Sequence, residues 1–373
     1  MKEALAEKLL ARVLQWGQEE MSQERPVLLN LAAYKYDEYQ QFSAGSRFIE
    51  SLTLWLNQFE TTEERRLAYE FVKHKLVFCS TAEMRHLVEM AYPDHIRPIL
   101  LDRAAGAGLD HFRPAAVAAR TEFKVRQRQC LFLGLSDGAR IDTFRRASPD
   151  LNHEQIWQTY ELSDQRVSKL LKKLVDHLRQ ITGDDPKPSD RKFRTLVLLD
   201  DFSASGTSYY ARPASAPPGG KVTDLFADLC DSNKPASSLI ELRELEVIIL
   251  LYMATEQALD HLREASQATW GKRNIPFTVE AVQLLPKDLR LARGDGSPIG
   301  PLIDHKKYYD HDIHDEHFEK GGTTDARYGY AACGLPLVLY HNTPNNSIAL
   351  LMSYEDKRFR GLFPRIQRHK EMS

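Results

Sequence analysis

Hydrophobic positions follow a helical period in the first part of the chain and gather into short unbroken runs in the second. Thr61 with Glu64 and Ser80 with Glu83 stand at capping-box spacing, where each side chain bonds the other residue's backbone N–H. Apolar faces follow both, at Leu67, Phe71 and Val72 and at Met84, Leu87 and Val88. Residues 1–112 are therefore expected to form a helical N-terminal domain, with Trp16, Trp55 and Phe59 at helical positions in its core. No basic recognition helix is evident there, which argues against specific nucleic-acid binding.

From Phe112 the pattern changes. Cys130 to Leu135 is a short apolar run, Ser136-Asp137-Gly138-Ala139-Arg140 a polar glycine turn, and Ile141 to Arg146 a helix start. Val167, Leu170, Leu171, Leu174, Val175 and Leu178 repeat at helical spacing until Gly183-Asp184-Asp185-Pro186 ends the helix. Further apolar runs at Leu196–Leu199, Val247–Met253, Phe277–Leu284 and Leu335–Tyr340 read as strands. Strands alternating with crossover helices predict an α/β fold with a doubly wound parallel sheet over residues 113–350. Residues 209–221, rich in Pro, Ala, Ser and Gly, form an insertion that reads as a loop suited to be a lid. A basic tail, 351–373, closes the chain.

At 373 residues there is room for two domains with ample core. Fifty basic and 52 acidic residues leave a net charge of −2, so no global field favours nucleic acid or a membrane. Two basic stretches, 113–146 and 357–370, suit a solvated face and an RNA or DNA surface equally well. The four cysteines lie far apart, as reduced thiols do, and acids near the amino terminus argue against a signal peptide. The longest apolar run, Val247 to Ala254, is too short to cross a bilayer. A cytoplasmic protein with no membrane partner is expected.

The chemistry gathers at residues 196–208, where an apolar run delivers Asp200 and Asp201 into the turn Ser205-Gly206-Thr207-Ser208. Open α/β sheets bind ligands at the carboxyl ends of their strands. Carboxylates there can accept hydrogen bonds from ribose hydroxyls, and a turn of hydroxyls, backbone N–H groups and glycine can surround a phosphate. The plain alternative is a strand ending in a solvated acidic turn. Among other candidates, His305, Asp310, His311, Asp312, His314, Asp315 and His317 are dense enough to interest a divalent metal. Their spacing matches no metal motif, so a solvated or substrate-covering loop is expected and no metal site. Beyond the last strand, His341-Asn342-Thr343-Pro344-Asn345-Asn346-Ser347 is expected at the same sheet edge as the acid pair. There a histidine can move protons and asparagine amides can read a base or ribose.

The 196–208 segment resembles the ribose-phosphate loop of type I phosphoribosyltransferases: an apolar strand, two acids, an apolar residue, two variable residues, then Thr-Gly-Gly-Thr. It aligns without a gap, with Ser205 and Ser208 in place of threonine and Thr207 in place of the second glycine. The resemblance implies that Asp200 and Asp201 contact the ribose hydroxyls and that Ser205, Gly206, Thr207 and Ser208 bind the 5′-phosphate. It places Ser136, Asp137, Gly138 and Arg140 at the turn that faces a pyrophosphate, with Mg²⁺ bridging diphosphate and ribose if the donor is phosphoribosyl diphosphate.

The His-Asn-Thr-Pro-Asn-Asn-Ser run, with Leu362-Phe363-Pro364-Arg365 close behind, resembles the carboxyl-terminal signature of the phosphoribosyltransferase-like family of bacterial conflict systems, PRTase-CE. The similarity extends to Gly134–Gly138, to Tyr252-Met253-Ala254-Thr255 and to the helical unit around Trp55, while Met352 stands where that family has an aromatic residue. Family members accompany retrons and related anti-phage loci and are taken to be effectors. The resemblance implies an enzyme acting at the glycosidic bond of a ribosyl phosphate or nucleotide, with His341 as acid and Asn342, Asn345 and Asn346 on the substrate. A retron reverse transcriptase and its RNA/DNA product are the implied partners. The alternative is a non-catalytic nucleotide- or nucleic-acid-binding subunit on the same fold.

Overall fold

A computed structural model describes residues 3–106, 109–160, 163–211, 219–314, 318–319 and 322–365. The strands among them are β1 (Val77–Cys79), β2 (Cys130–Gly134), β3 (Ile156–Trp157), β4 (Thr195–Ser203), β5 (Glu246–Thr255), β6 (Phe277–Leu285) and β7 (Leu337–Leu339). The chain forms two compact units, Met84–Leu285 and a second made of Met1–Glu83 with Pro286–Ser373.

The Met84–Leu285 unit is built on a five-stranded sheet, all parallel, in the order β3-β2-β4-β5-β6. Its central strand, β4, is a run of Leu196, Val197, Leu198 and Leu199 without exposed surface, because both sheet faces are covered. One face carries Leu196 and Leu198 against Val167, Leu170, Leu174 and Leu178 of the helix Asp164–Thr182 and Val222, Leu225 and Leu229 of the helix Lys221–Cys230. On the opposite face Phe132 of β2 meets Tyr92 and Phe144. The crossover helix stops at Gly183, whose φ of +82° suits glycine at a helix end. The expected α/β class, crossover helix and strand positions are all present, and β3 is an edge strand of two residues that the hydrophobic pattern does not reveal.

In the other unit both expected capping boxes form. Glu64 N donates to Thr61 Oγ1 at 3.1 Å while Thr61 N donates to Glu64 Oε2 at 2.9 Å. Ser80 and Glu83 exchange the same pair of bonds at 2.8 and 3.2 Å. Trp55 and Phe59 are buried, and the Trp55 indole donates to the Leu350 carbonyl at 2.8 Å.

One expectation is corrected. The strand near Leu335–Tyr340 does not join the doubly wound sheet: β7 pairs in parallel with β1, in a two-stranded sheet of its own. Val77-Phe78-Cys79 lies between two helices and is too short to show a strand period, so its distant partner was hidden. That pairing joins the two ends of the chain, and the compact units consequently do not divide at residues 112 and 350. The proline-rich part of the 209–221 insertion, 212–218, and the last eight residues of the tail lie outside the described residues. No helix among the described residues is long and apolar enough to cross a membrane.

Leu198 lies between Leu133 and Ile249 in the register. Leu198→Ala is expected to destabilise this unit by about 2–5 kcal/mol, the cost of a core cavity, which urea unfolding followed by circular dichroism checks.

Candidate active site

β4 carries the acid pair on its last turns of pleat rather than just beyond it. Asp200 is still in register with Leu251 of β5, and Phe202 and Ser203 continue the ladder to Met253 and Ala254. Alternation along the strand puts Asp200 on the face of Leu196 and Leu198, under the helix Lys221–Cys230, and Asp201 on the opposite face.

Asp200 is only 2% exposed, and its carboxylate is fully engaged. The Ser136 hydroxyl donates to Oδ1, which also accepts the Asp201 backbone N–H at 3.1 Å. Tyr209 Oη donates to Oδ2 at 2.8 Å, and Lys221 Nζ lies 3.2 Å from the same oxygen. Burial, with the acids beside it, pushes the Tyr209 phenol well above its ordinary value, so the hydroxyl keeps the proton it donates. The Lys221 ammonium also sits over the Tyr209 ring, 5.4 Å from its centroid. A buried carboxylate is stable only when paired and hydrogen-bonded in this way.

Asp201 is half-buried and accepts the Phe202 N–H at 2.8 Å. Burial first, and then the neighbouring Asp200 charge, push its carboxyl up to about 7, against the opposing pull of Arg140 and Lys221. The Ser136–Arg140 turn comes directly over it. A Cβ on Gly138 would overlap the Asp201 carboxylate, so any larger residue there would push that side chain out of its present position. The turn is held in place by the Gly138 N–H donating to Ser136 Oγ at 3.1 Å and by the buried Tyr252 hydroxyl of β5 donating to the Ala139 carbonyl at 2.7 Å. Asp137 is exposed, and Arg140 takes left-handed backbone at φ +48° as the helix Ile141–Ala147 begins.

The Ser205–Ser208 turn follows at once. Gly206 has φ +75°, and a Cβ there would press on the His261 ring and the Ala258 carbonyl. The turn's donors are held by its own hydroxyls: Gly206 N donates to Ser203 Oγ at 3.1 Å, Thr207 N to Ser205 Oγ at 3.4 Å, and Ser205 and Thr207 hydroxyls meet at 3.0 Å. Thr255 of β5 bonds the Ala204 carbonyl at 2.7 Å. Thr207 and Ser208 are the members that reach solvent. Ser136, Gly138, Arg140, Asp200, Asp201 and Ser205–Ser208 thus share one strand edge.

The carboxyl-terminal candidates do not share that edge. His341, Asn342, Asn345 and Asn346 follow β7, in the other unit and the other sheet, so the argument that put them beside the acid pair fails. There they shape a turn. Asn342 and Leu339 exchange backbone bonds at 3.0 and 3.2 Å, Asn345 O accepts from Tyr330 N at 2.7 Å, and Asn346 Nδ2 donates to Tyr330 O at 3.2 Å. The buried Thr343 hydroxyl bonds the Phe363 carbonyl at 2.7 Å.

Two residues that sequence reasoning missed complete the acid pair, Tyr209 and Lys221. Tyr209 follows the Ser205–Ser208 turn directly, and Lys221 is the first residue after Gly219-Gly220, where the helix Lys221–Cys230 begins. A lysine on the first helical turn was the readable signal, because the helix dipole disfavours a cation there.

The residues present do not fit a protein-held magnesium ion. Both Asp200 oxygens are engaged, and among the described residues no three His, Cys, Asp or Glu side chains converge into a cage that would hold an ion without a ligand. In the histidine-rich segment, His314 Nε2 lies 2.7 Å from the Thr323 carbonyl, His305 packs on Tyr308, and residues 315–317 lie outside the described residues.

Residues 52–365 match the model of a known protein family, PRTase-CE. No curated protein and no solved structure matches the chain.

The raised Asp201 carboxyl sets a pH dependence. Between the ordinary aspartate range near 4 and about 7, the folded state holds a proton that the unfolded chain releases. This contribution to stability is complete at the low end and lost as pH rises to the high end. Asp201→Asn removes it, so the variant's stability relative to wild type should climb from pH 4 to pH 7 and then level off. Denaturant unfolding of both proteins across that range checks this, and parallel profiles would contradict it.

Proposed function

The chain belongs to the PRTase-CE family, and on that premise we propose that the site at the end of β4 binds a ribosyl 5′-phosphate and acts at its C1′ glycosidic bond. The family supports a phosphoribosyltransferase-like function. One observation carries the finer reading: the central parallel strand delivers a half-buried acid directly into a turn of hydroxyls and a left-handed glycine. The turn's N–H groups, now bonded to their own serine hydroxyls, are the natural cradle for the phosphate.

In this reading Asp201 meets the ribose. Bond breaking at C1′ builds positive charge on the sugar ring, and a carboxylate fixed nearby stabilises it. A carboxyl whose proton leaves near neutrality can also take or give one as the bond breaks. Asp200 is a positioning residue that sets the strand end through Ser136, Tyr209 and Lys221. His341 has no role in this account. The defence-effector role implied by the family, with reverse transcriptase and nucleic acid as partners, belongs to this proposal as its cellular setting.

The engagement of Asp200 favours a second reading, in which the fold binds a nucleotide without turning it over. The two separate in one experiment. Purified wild-type protein should release base from, or move phosphoribose between, some member of a panel of nucleotides and bases, and Asp201→Asn should lower that rate by about 10²–10⁴ while ligand binding persists. Binding without turnover in wild type would establish the second reading instead.

A further inference from the structure

Lys221 stands where a lysine is disfavoured. It opens the ten-residue helix Lys221–Cys230, at the end where the helix dipole repels cations. It is held there by the acid pair. Its Nζ lies 3.2 Å from Asp200 Oδ2 and over the Tyr209 ring, and the side chain keeps 29% of its exposure while Asp200 keeps 2%. The lysine therefore joins the most buried carboxylate of the site to the solvent-facing side where a ligand enters.

Two adjacent carboxylates repel a phosphate unless a cation screens them. In many phosphate sites a divalent metal does so. Here a metal would have to displace the Lys221 ammonium, the Tyr209 hydroxyl or the Ser136 hydroxyl from Asp200, each already within bonding distance of it. Arg140, on the turn above Asp201, adds a second protein cation to the same field. The positive charge that a metal-bound diphosphate would bring is already built in.

We propose that Lys221 is the resident counterion of this site, and that the site takes a ribosyl monophosphate, a nucleoside 5′-monophosphate or ribose 5-phosphate, without a divalent cation. The inference rests on the ribosyl-phosphate reading above and narrows it by charge class. A monophosphate needs only the hydroxyls and N–H groups of Ser205–Ser208. A diphosphate would need a partner for its extra charges, and both Asp200 oxygens are already bonded by Ser136, Tyr209 and Lys221.

The test is calorimetric titration of the full chain with ribose 5-phosphate, the four common nucleoside 5′-monophosphates and phosphoribosyl diphosphate, each in EDTA and in excess Mg²⁺. At least one monophosphate should bind with an affinity that differs by less than about twofold between the two conditions. Lys221→Met should weaken that binding by about tenfold or more in EDTA, and Mg²⁺ should restore part of it. Because that variant leaves Asp200 buried without its counterion, Asp200→Asn with Lys221→Met is the second arm. With both charges gone, metal-independent binding should return to within a few-fold of wild type. Wild-type binding that requires Mg²⁺, or binding of the diphosphate with Mg²⁺ alone, would overturn the inference and leave the ribosyl-phosphate reading standing. Absence of binding by every ligand in both conditions would overturn that reading, and this inference with it.

Discussion

The structure of the site depends on a buried charge. Asp200 lies inside a parallel sheet, where an ionised carboxylate is tolerated only with partners on every side. Ser136 comes from the loop after β2, Tyr209 from the end of the Ser205–Ser208 turn and Lys221 from the start of a helix. One carboxylate thus gathers three separate segments around the end of β4. Removing a single partner from such a pair costs about 3–5 kcal/mol, so the arrangement holds together or is lost together. The insertion between Tyr209 and Lys221 also becomes intelligible. Its two ends close on each other, with Ala211 N donating to Gly219 O at 2.8 Å and Lys221 N to Ser208 O at 3.1 Å.

The two acids differ sharply in environment. Asp200 is locked, and Asp201, one residue further and on the other face, is half-buried beneath Gly138. Its raised carboxyl follows from burial beside a like charge, the combination that sets adjacent carboxylates to different tasks. Membership of the PRTase-CE family gives this arrangement its chemical context.

Much of this was legible before any coordinates. The run Leu196–Leu199 announces a doubly buried strand, and Asp200-Asp201 with the hydroxyl-rich glycine turn announces where that strand ends, because both signals are local. The two capping boxes were local as well, and they formed. What stayed hidden depended on distance along the chain. β7 and β1 are three residues each and lie far apart in sequence, and nothing in either marks the other as its partner. The expectation that His341 and the asparagines share the acid pair's edge fell with that unseen pairing. Lys221 left only a weak trace, a cation on a first helical turn, which reads as a solvated helix start until the buried carboxylate opposite it is known.

The central claim is that the turn after β4 holds a phosphate while Asp201 meets the sugar attached to it. A crystal structure of the chain with ribose 5-phosphate tests this most directly. The account predicts phosphate density within hydrogen-bonding distance of the Ser205–Ser208 hydroxyls and N–H groups, the ribose hydroxyls against Asp201, and Lys221 still on Asp200. A phosphate bound elsewhere, or a ribose turned away from Asp201 in an otherwise unchanged site, would contradict it.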